Sequence, residues 1–511
     1  MEPQKTKSNI PRWVWLMAGL ALLMLCAVVA TGVLAIGAFS VFTTTAPESD
    51  ADIVLIEPIE PLEADTETAQ SPVELPATAT ASAEVDSQET SEPIVSAETA
   101  VPGEAEARET AEGEEMVESK PPDNDIGLVE RAAIEANVVN IRELEPLAAV
   151  DPTLLSASEL GQRLEEEFAE SYSPEEARND AIAWSAFDFF PADFDLYNFV
   201  ISLYTEQIAG FYDAETDEFV IIGDDDEFDV LEQWTHAHEY VHALQDQHYD
   251  LEILDDESLD SEATFALQAL AEGDATLVQT LYLLGGYFDQ EQLFEILTTA
   301  FEIDTAVLDS APPVIAHELE FPYITGLAFV QALYDEGGFA AVDEAWEQLP
   351  QSTEHILHPD RYLANDAPQL VTVAPLTDTL GAGWQLAKED ILGEFYLREY
   401  LSQQLDSNQV NEAATGWGGD RYAVYWNESN QQSVLVLQIT WDTAADAKEF
   451  LSFYPKYPDG LFGVSGSDRP DAGTCWQGAD VICLYALGDQ SLVVRAPDMN
   501  IMNSVTSALI P

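Results

Sequence analysis

The chain predicts an α+β fold. A mainly helical domain carries a small β-hairpin and is followed by a C-terminal α+β subdomain, and an N-terminal transmembrane helix tethers the whole. Three observations lead there. Apolar residues recur at helical spacing through most of 155–404, short β-type runs crowd the chain beyond about residue 413, and residues 13–42 hold no charged side chain.

The uncharged run 13–42 comes first. At about 1.5 Å per residue it exceeds the roughly 30 Å hydrocarbon core of a bilayer. Lys5, Lys7 and Arg12 precede it, which places residues 1–12 in the cytoplasm and the remainder outside. A signal peptide would have an apolar core of only about 7–15 residues. Cys26 follows Leu23-Met24-Leu25, which lacks the small residues of a lipoprotein site. The reading is a single-pass membrane anchor with the rest of the chain extracellular. Residues 43–128 are mostly Pro, Glu, Thr, Ser and Ala with almost no aromatics, so they are expected to form a disordered acidic stalk.

Charge narrows the partners. Lys and Arg number 17 against 96 Asp and Glu, a net charge of −79, divided as +2 on residues 1–42, −21 on 43–128 and −60 on 129–511. The folded part is itself acidic. Nucleic acid is excluded as a partner, because nothing on such a surface neutralises phosphates.

Residues 129–412 form the expected mainly helical domain. Helical periodicity appears at 155–171, 174–188 and 195–208, the second opened by Pro174 and Glu175-Glu176. Phe211-Tyr212, a turn at 213–216 and Phe219-Val220-Ile221-Ile222 then read as strand, turn, strand. The acidic run 223–227 lacks the ligand spacing of a calcium loop and reads as a solvated turn.

Next comes a helix with Asp229 as N-cap and Leu231, Trp234, Val241 and Leu244 at core-facing spacing. It contains His238-Glu239-Tyr240-Val241-His242, the H-E-x-x-H pattern, and four of the chain's seven histidines fall between 236 and 248. Residues four apart share a helix face, so two imidazoles there reach one Zn²⁺ at about 2.0–2.1 Å. Glu239 projects about 100° further round, which suits a general base that is not a ligand. The plain alternative is an amphipathic helix with satisfied histidines.

A catalytic zinc site takes three protein ligands. From 263 to 288 the only charged residues are Glu272 and Asp274, and a carboxylate in so apolar a helix is costly to bury unless paired or metal-bound. Glu272 ranks first as third ligand. Glu262 sits just after Asp260-Ser261, where acids decorate a helix start, and Asp246 lies one turn beyond His242.

His238 to His242, followed by Glu272 within Ala271-Glu272-Gly273-Asp274-Ala275, resembles the gluzincin branch of zinc metallopeptidases. The resemblance implies a zincin-like domain, His238, His242 and Glu272 as zinc ligands, and Glu239 as the base. It also implies that the hairpin before the helix offers an edge strand to an extended peptide. Thermolysin-like enzymes carry the third ligand nearer the second histidine, a spacing that Glu262 fits better. Residues 200–425 also resemble uncharacterised bacterial metallopeptidase-like proteins. That likeness lies in Gln207 to Asp213, His238 to His248, Glu272 to Ala275, His355-Ile356-Leu357-His358-Pro359 and Gly416 to Tyr422.

Helices continue through 320–349. His355 and His358 are candidates to donate to an oxyanion, or else caps of the turn before Pro359, and Tyr323 is a further candidate. Residues 384–404 read as an amphipathic helix. In 413–511, β-type runs at 422–426, 433–441, 481–486 and 491–496 alternate with helices near 443–454 and 499–509. Cys475 and Cys483 are expected to form an extracellular disulfide worth about 2.5 kcal/mol in the chain-entropy model. The sequence therefore points to a membrane-anchored zinc-dependent peptidase acting on a peptide or protein substrate. Its rivals are a catalytically silent surface-binding protein with a structural metal site, and a hydrolase of a non-peptide amide.

Overall fold

Helix α1 (Leu128–Arg142) opens the part that the computed structural model describes, residues 127–510 apart from short stretches, the longest being 164–167, 223–227 and 301–304. The expected transmembrane helix at 13–42, nearly all of the stalk at 43–128 and the acidic turn at 223–227 lie outside the described residues. Among the described residues no helix is long and apolar enough to cross a membrane.

The fold is mixed α+β. Strand β1 (Thr153–Leu155) is followed by helices α2 (Pro174–Ala186) and α3 (Leu196–Gln207), then strands β2 (Gly210–Asp213) and β3 (Glu218–Ile222). Ser173 and Glu176 close a capping box at the start of α2, as the Pro174 signal predicts. The three strands form a small sheet in the order β1-β3-β2, with β1 parallel and β2 antiparallel to β3.

Helix α4 (Val230–Tyr249) starts at an Asp229–Glu232 capping box, and α5 (Ser261–Leu284) starts at Asp260. Both are buried along most of their length. Helices α6 (Gln290–Ala300), α7 (Pro313–Gly337), α8 (Phe339–Glu347) and the short α9 (Thr353–Leu357) complete the helical part. Two glycines bring α7 against α5. A Cβ on Gly273 would lie 2.3 Å from Gly326 O, and one on Gly326 would lie 2.2 Å from Ala269 O. Only hydrogen fits there, so the two backbones touch directly.

The C-terminal part is built on a seven-stranded antiparallel sheet in the order β4-β5-β6-β10-β9-β8-β7. Strand β4 (Trp384–Asp390) precedes helices α10 (Gly393–Ser402) and α11 (Ser407–Ala414), and β5 (Trp417–Asn427) and β6 (Gln432–Trp441) follow as a hairpin. Helix α12 (Ala444–Phe453), strands β7 (Ser467–Asp468), β8 (Gly473–Gln477), β9 (Val481–Ala486) and β10 (Gln490–Ala496), and helix α13 (Met499–Leu509) end the chain. One face packs on α10 to α12 and on Ile182, Ala183 and Ala186 of α2. The other packs on Met502 and Val505 of α13. Cys475 and Cys483 are register partners on β8 and β9 and form the expected disulfide.

The continuous helix expected at 384–404 is corrected. Its first part is strand β4, paired with β5 from Trp384↔Asn427 to Asp390↔Tyr422, and the helix begins only at Gly393. Gly393 has φ +75°, a left-handed turn that separates strand from helix.

Candidate metal centre

His238 and His242 lie one turn apart on the same side of α4 and face α5 together. Glu272, mid-way along α5, meets them. His238 Nε2 lies 3.2 Å from Glu272 Oε2 and 3.1 Å from His242 Nε2, and His242 Nε2 lies 3.4 Å from the same Glu272 oxygen. These three residues form the one group among the described residues whose His, Cys or carboxylate atoms converge closely enough to hold a metal ion. The set is buried: His238 is 1 %, His242 4 % and Glu272 4 % exposed.

His242 and Glu272 form a buried charge pair beside His238. Burial disfavours the His242 imidazolium, yet the Glu272 carboxylate raises its pKa to about 9. Burial likewise opposes the Glu272 carboxylate, but His242 and His238 hold it down at about 2. The arrangement is an anionic oxygen and two imidazole nitrogens aimed at one point, a donor set suited to a divalent transition ion.

Glu239 is wholly buried beside this set, and neither carboxylate oxygen has a hydrogen-bond partner among the described residues. Burial pushes its pKa up; His238 and His242 oppose that shift and Glu272 adds to it. Behind His242, Gln245 Oε1 lies 2.8 Å from Nδ1.

Glu262 is not part of the group. It sits ten residues before Glu272 on α5, about 15 Å along the axis, and accepts from Thr353 N and Oγ1, each at 2.8 Å. Asp246 accepts from Tyr212 Oη and from Leu251 N, both at 2.9 Å, and so closes the end of α4. His236 bonds Glu135 at 3.1 Å and His248 bonds Glu145 O at 2.8 Å, so these two anchor α1 and the segment after it.

The three oxyanion candidates separate. Tyr323 lies against His238, ring centroids 6.3 Å apart, placed there by the Gly273–Gly326 contact one turn further along α7. His355 accepts from Gln351 N and bonds Asp366 O through its other nitrogen, the turn-capping role. His358 bonds Glu394 at 3.0 Å. The run Gly416 to Tyr422 supplies Asp420, which accepts from Leu392 N, Gly393 N and Trp417 Nε1 and fixes the start of α10. These motifs join the helical part to the sheet.

Gln245 and Arg142 escaped the sequence reading. A polar residue three positions after His242 on a buried helix face was the available signal for Gln245; Arg142 gives none, since its partner Asp274 lies 132 residues away.

Residues 383–506, the sheet with its helices, are similar to a domain of unknown function (DUF8575). No curated protein and no solved structure matches the chain.

Proposed function

We propose that this protein is a zinc-dependent peptidase of zincin-like type, with His238, His242 and Glu272 as ligands and Glu239 as general base. The observation that carries the proposal is the triangle of donor atoms with edges of 3.1, 3.2 and 3.4 Å. A tetrahedral shell with bonds of about 2.05 Å has edges of about 3.3 Å, so the triangle fits one face and leaves a fourth position. When bound, Zn²⁺ supplies Lewis acidity and lowers the pKa of water.

The remaining work falls to the side chains. Glu239 takes a proton from the attacking water at its carboxylate and delivers it to the leaving amine. Its raised pKa moves it toward the range in which a group both accepts and returns a proton near neutral pH. Tyr323, beside His238, is the best placed of the three candidates to donate to a developing oxyanion. The expected membrane anchor and extracellular placement belong to the same proposal and rest on residues 13–42.

One observation favours a second reading, a metal-stabilised surface protein without turnover: Glu239 and all three ligands are at most 4 % exposed. Glu239→Gln separates the two. The variant keeps the shape but loses the basic oxygen, so zinc content after dialysis should match wild type while casein cleavage falls by about 10²–10⁴-fold. Zinc retained with no cleavage by either form supports the second reading.

A further inference from the structure

The hydrogen bonds behind His242 run in one direction, and that direction is decided at Asp274. Asp274 is fully buried and gathers donors from three helices. Arg142 Nε lies 2.8 and 3.1 Å from its two oxygens, and Gln245 Nε2 and Trp346 Nε1 each lie 3.2 Å from Oδ2. Guanidinium and indole only donate, and an ion-paired carboxylate only accepts. The other neighbour of Gln245 Nε2 is the Ala271 carbonyl, at 3.0 Å, again only an acceptor. The end of the Gln245 amide that faces Asp274 and Ala271 must therefore be its NH₂, a choice that shape alone does not make. The carbonyl end is left facing His242 Nδ1, which must then carry the hydrogen.

We infer that Gln245, oriented by the Arg142–Asp274 pair, is a positioning residue that keeps the proton on His242 Nδ1 and turns Nε2 toward His238 and Glu272. An outer partner of this kind fixes ring orientation and raises the basicity of the coordinating nitrogen. The consequence for metal affinity rests on the zinc reading above; the tautomer does not. Arg142 comes from α1, so the first described helix reaches the metal centre through two side chains. Arg142 also pairs with the half-exposed Asp343 at 2.8 Å, which leaves it an anionic partner when Asp274 is neutralised.

The test uses the full chain labelled with ¹⁵N-histidine and long-range ¹H–¹⁵N spectra, with and without added Zn²⁺, together with zinc affinity measured by chelator competition. His242 should show a slowly exchanging proton on Nδ1 in both conditions, whether or not Nε2 also carries one. Gln245→Met should lose that protection and bind zinc about 10–100-fold more weakly. Asp274→Asn removes the charged acceptor and leaves the Ala271 carbonyl alone to orient the Gln245 amide; it should weaken zinc by about 10-fold alone and add almost nothing to Gln245→Met. A bare Nδ1 in the wild type, unchanged zinc affinity in Gln245→Met, or a full Asp274→Asn effect in the Gln245→Met background would each overturn the inference. The wild-type spectrum decides the tautomer even where a variant fails to fold. A protected Nδ1 proton in a protein that takes up no zinc supports the tautomer and overturns the metal reading.

Discussion

Helices α4 and α5 bury His238, Glu239, His242, Gln245, Glu272, Asp274, Thr276 and Gln279 in the middle of the helical core. The central strands β5, β6 and β10 bury almost nothing but aliphatic and aromatic side chains, and their few polar groups are bonded: Asp420 by three donors, Ser491 by Trp441 Nε1. Satisfaction differs in the same way. Among the described residues, unpartnered buried atoms on α4 and α5 include Trp234 Nε1, His238 Nδ1, both Glu239 oxygens and Thr276 Oγ1, whereas no strand of the large sheet contributes one. Each such atom costs about 1–3 kcal/mol. The unpartnered polar atoms are thus concentrated on α4 and α5, around His238, His242 and Glu272, and avoided in the strands of the large sheet.

Removing one of the three proposed metal ligands is the hardest test of that division. His238→Ala or His242→Ala should abolish stoichiometric zinc in metal analysis, and Glu272→Ala should weaken binding by at least about 10²-fold. Glu262→Ala should leave zinc content near wild type, since its partner is Thr353. Zinc lost from Glu262→Ala and kept in Glu272→Ala would reverse the assignment.

Gly273→Ala probes the backbone contact that packs α5 against α7. Its methyl would strike the Gly326 backbone, so thermal unfolding should show a loss of about 3 kcal/mol, the upper range for overpacking. Zinc affinity should fall with it, because Glu272 is the residue immediately before Gly273.

On the sheet side, Cys475→Ser with Cys483→Ser should lower stability by about 2.5 kcal/mol in denaturant titrations. Zinc affinity should stay at the wild-type value. A parallel loss of zinc would mean that the two regions are not independent.

The smallest effect is expected at the joint. Glu354 is buried, with one oxygen unpartnered among the described residues, and burial followed by the nearby Glu394 raises its pKa to about 9. A carboxyl whose pKa is higher folded than unfolded contributes stability below its unfolded value, about 4.3, and loses it as pH rises through the folded value. Glu354→Gln should therefore be more stable than wild type at about pH 9, by about 1–2 kcal/mol. At about pH 4 the two proteins should have the same midpoint.

How much of this was legible in residues alone follows from the range of each interaction. The placing of His238 beside His242 is local, a matter of helical period, and so are the Asp229 and Ser173 caps and the paired strands β5 and β6. Two lone acids in an apolar helix marked Glu272 and Asp274 as unusual, because burying charge without a partner is costly anywhere. The choice of Glu272 over Glu262 was tertiary. Both lie on α5, and only the crossing of α4 over its middle decides which of two carboxylates about 15 Å apart meets the histidines. Strand β4 was tertiary too: nothing within Trp384–Asp390 outweighs a helical pattern until β5 offers its edge. The same holds for Arg142, Gln245 and Asp274. Helical spacing puts each on a face, but a hydrogen bond has a direction, and that direction exists only once three helices bring donors and acceptors into contact.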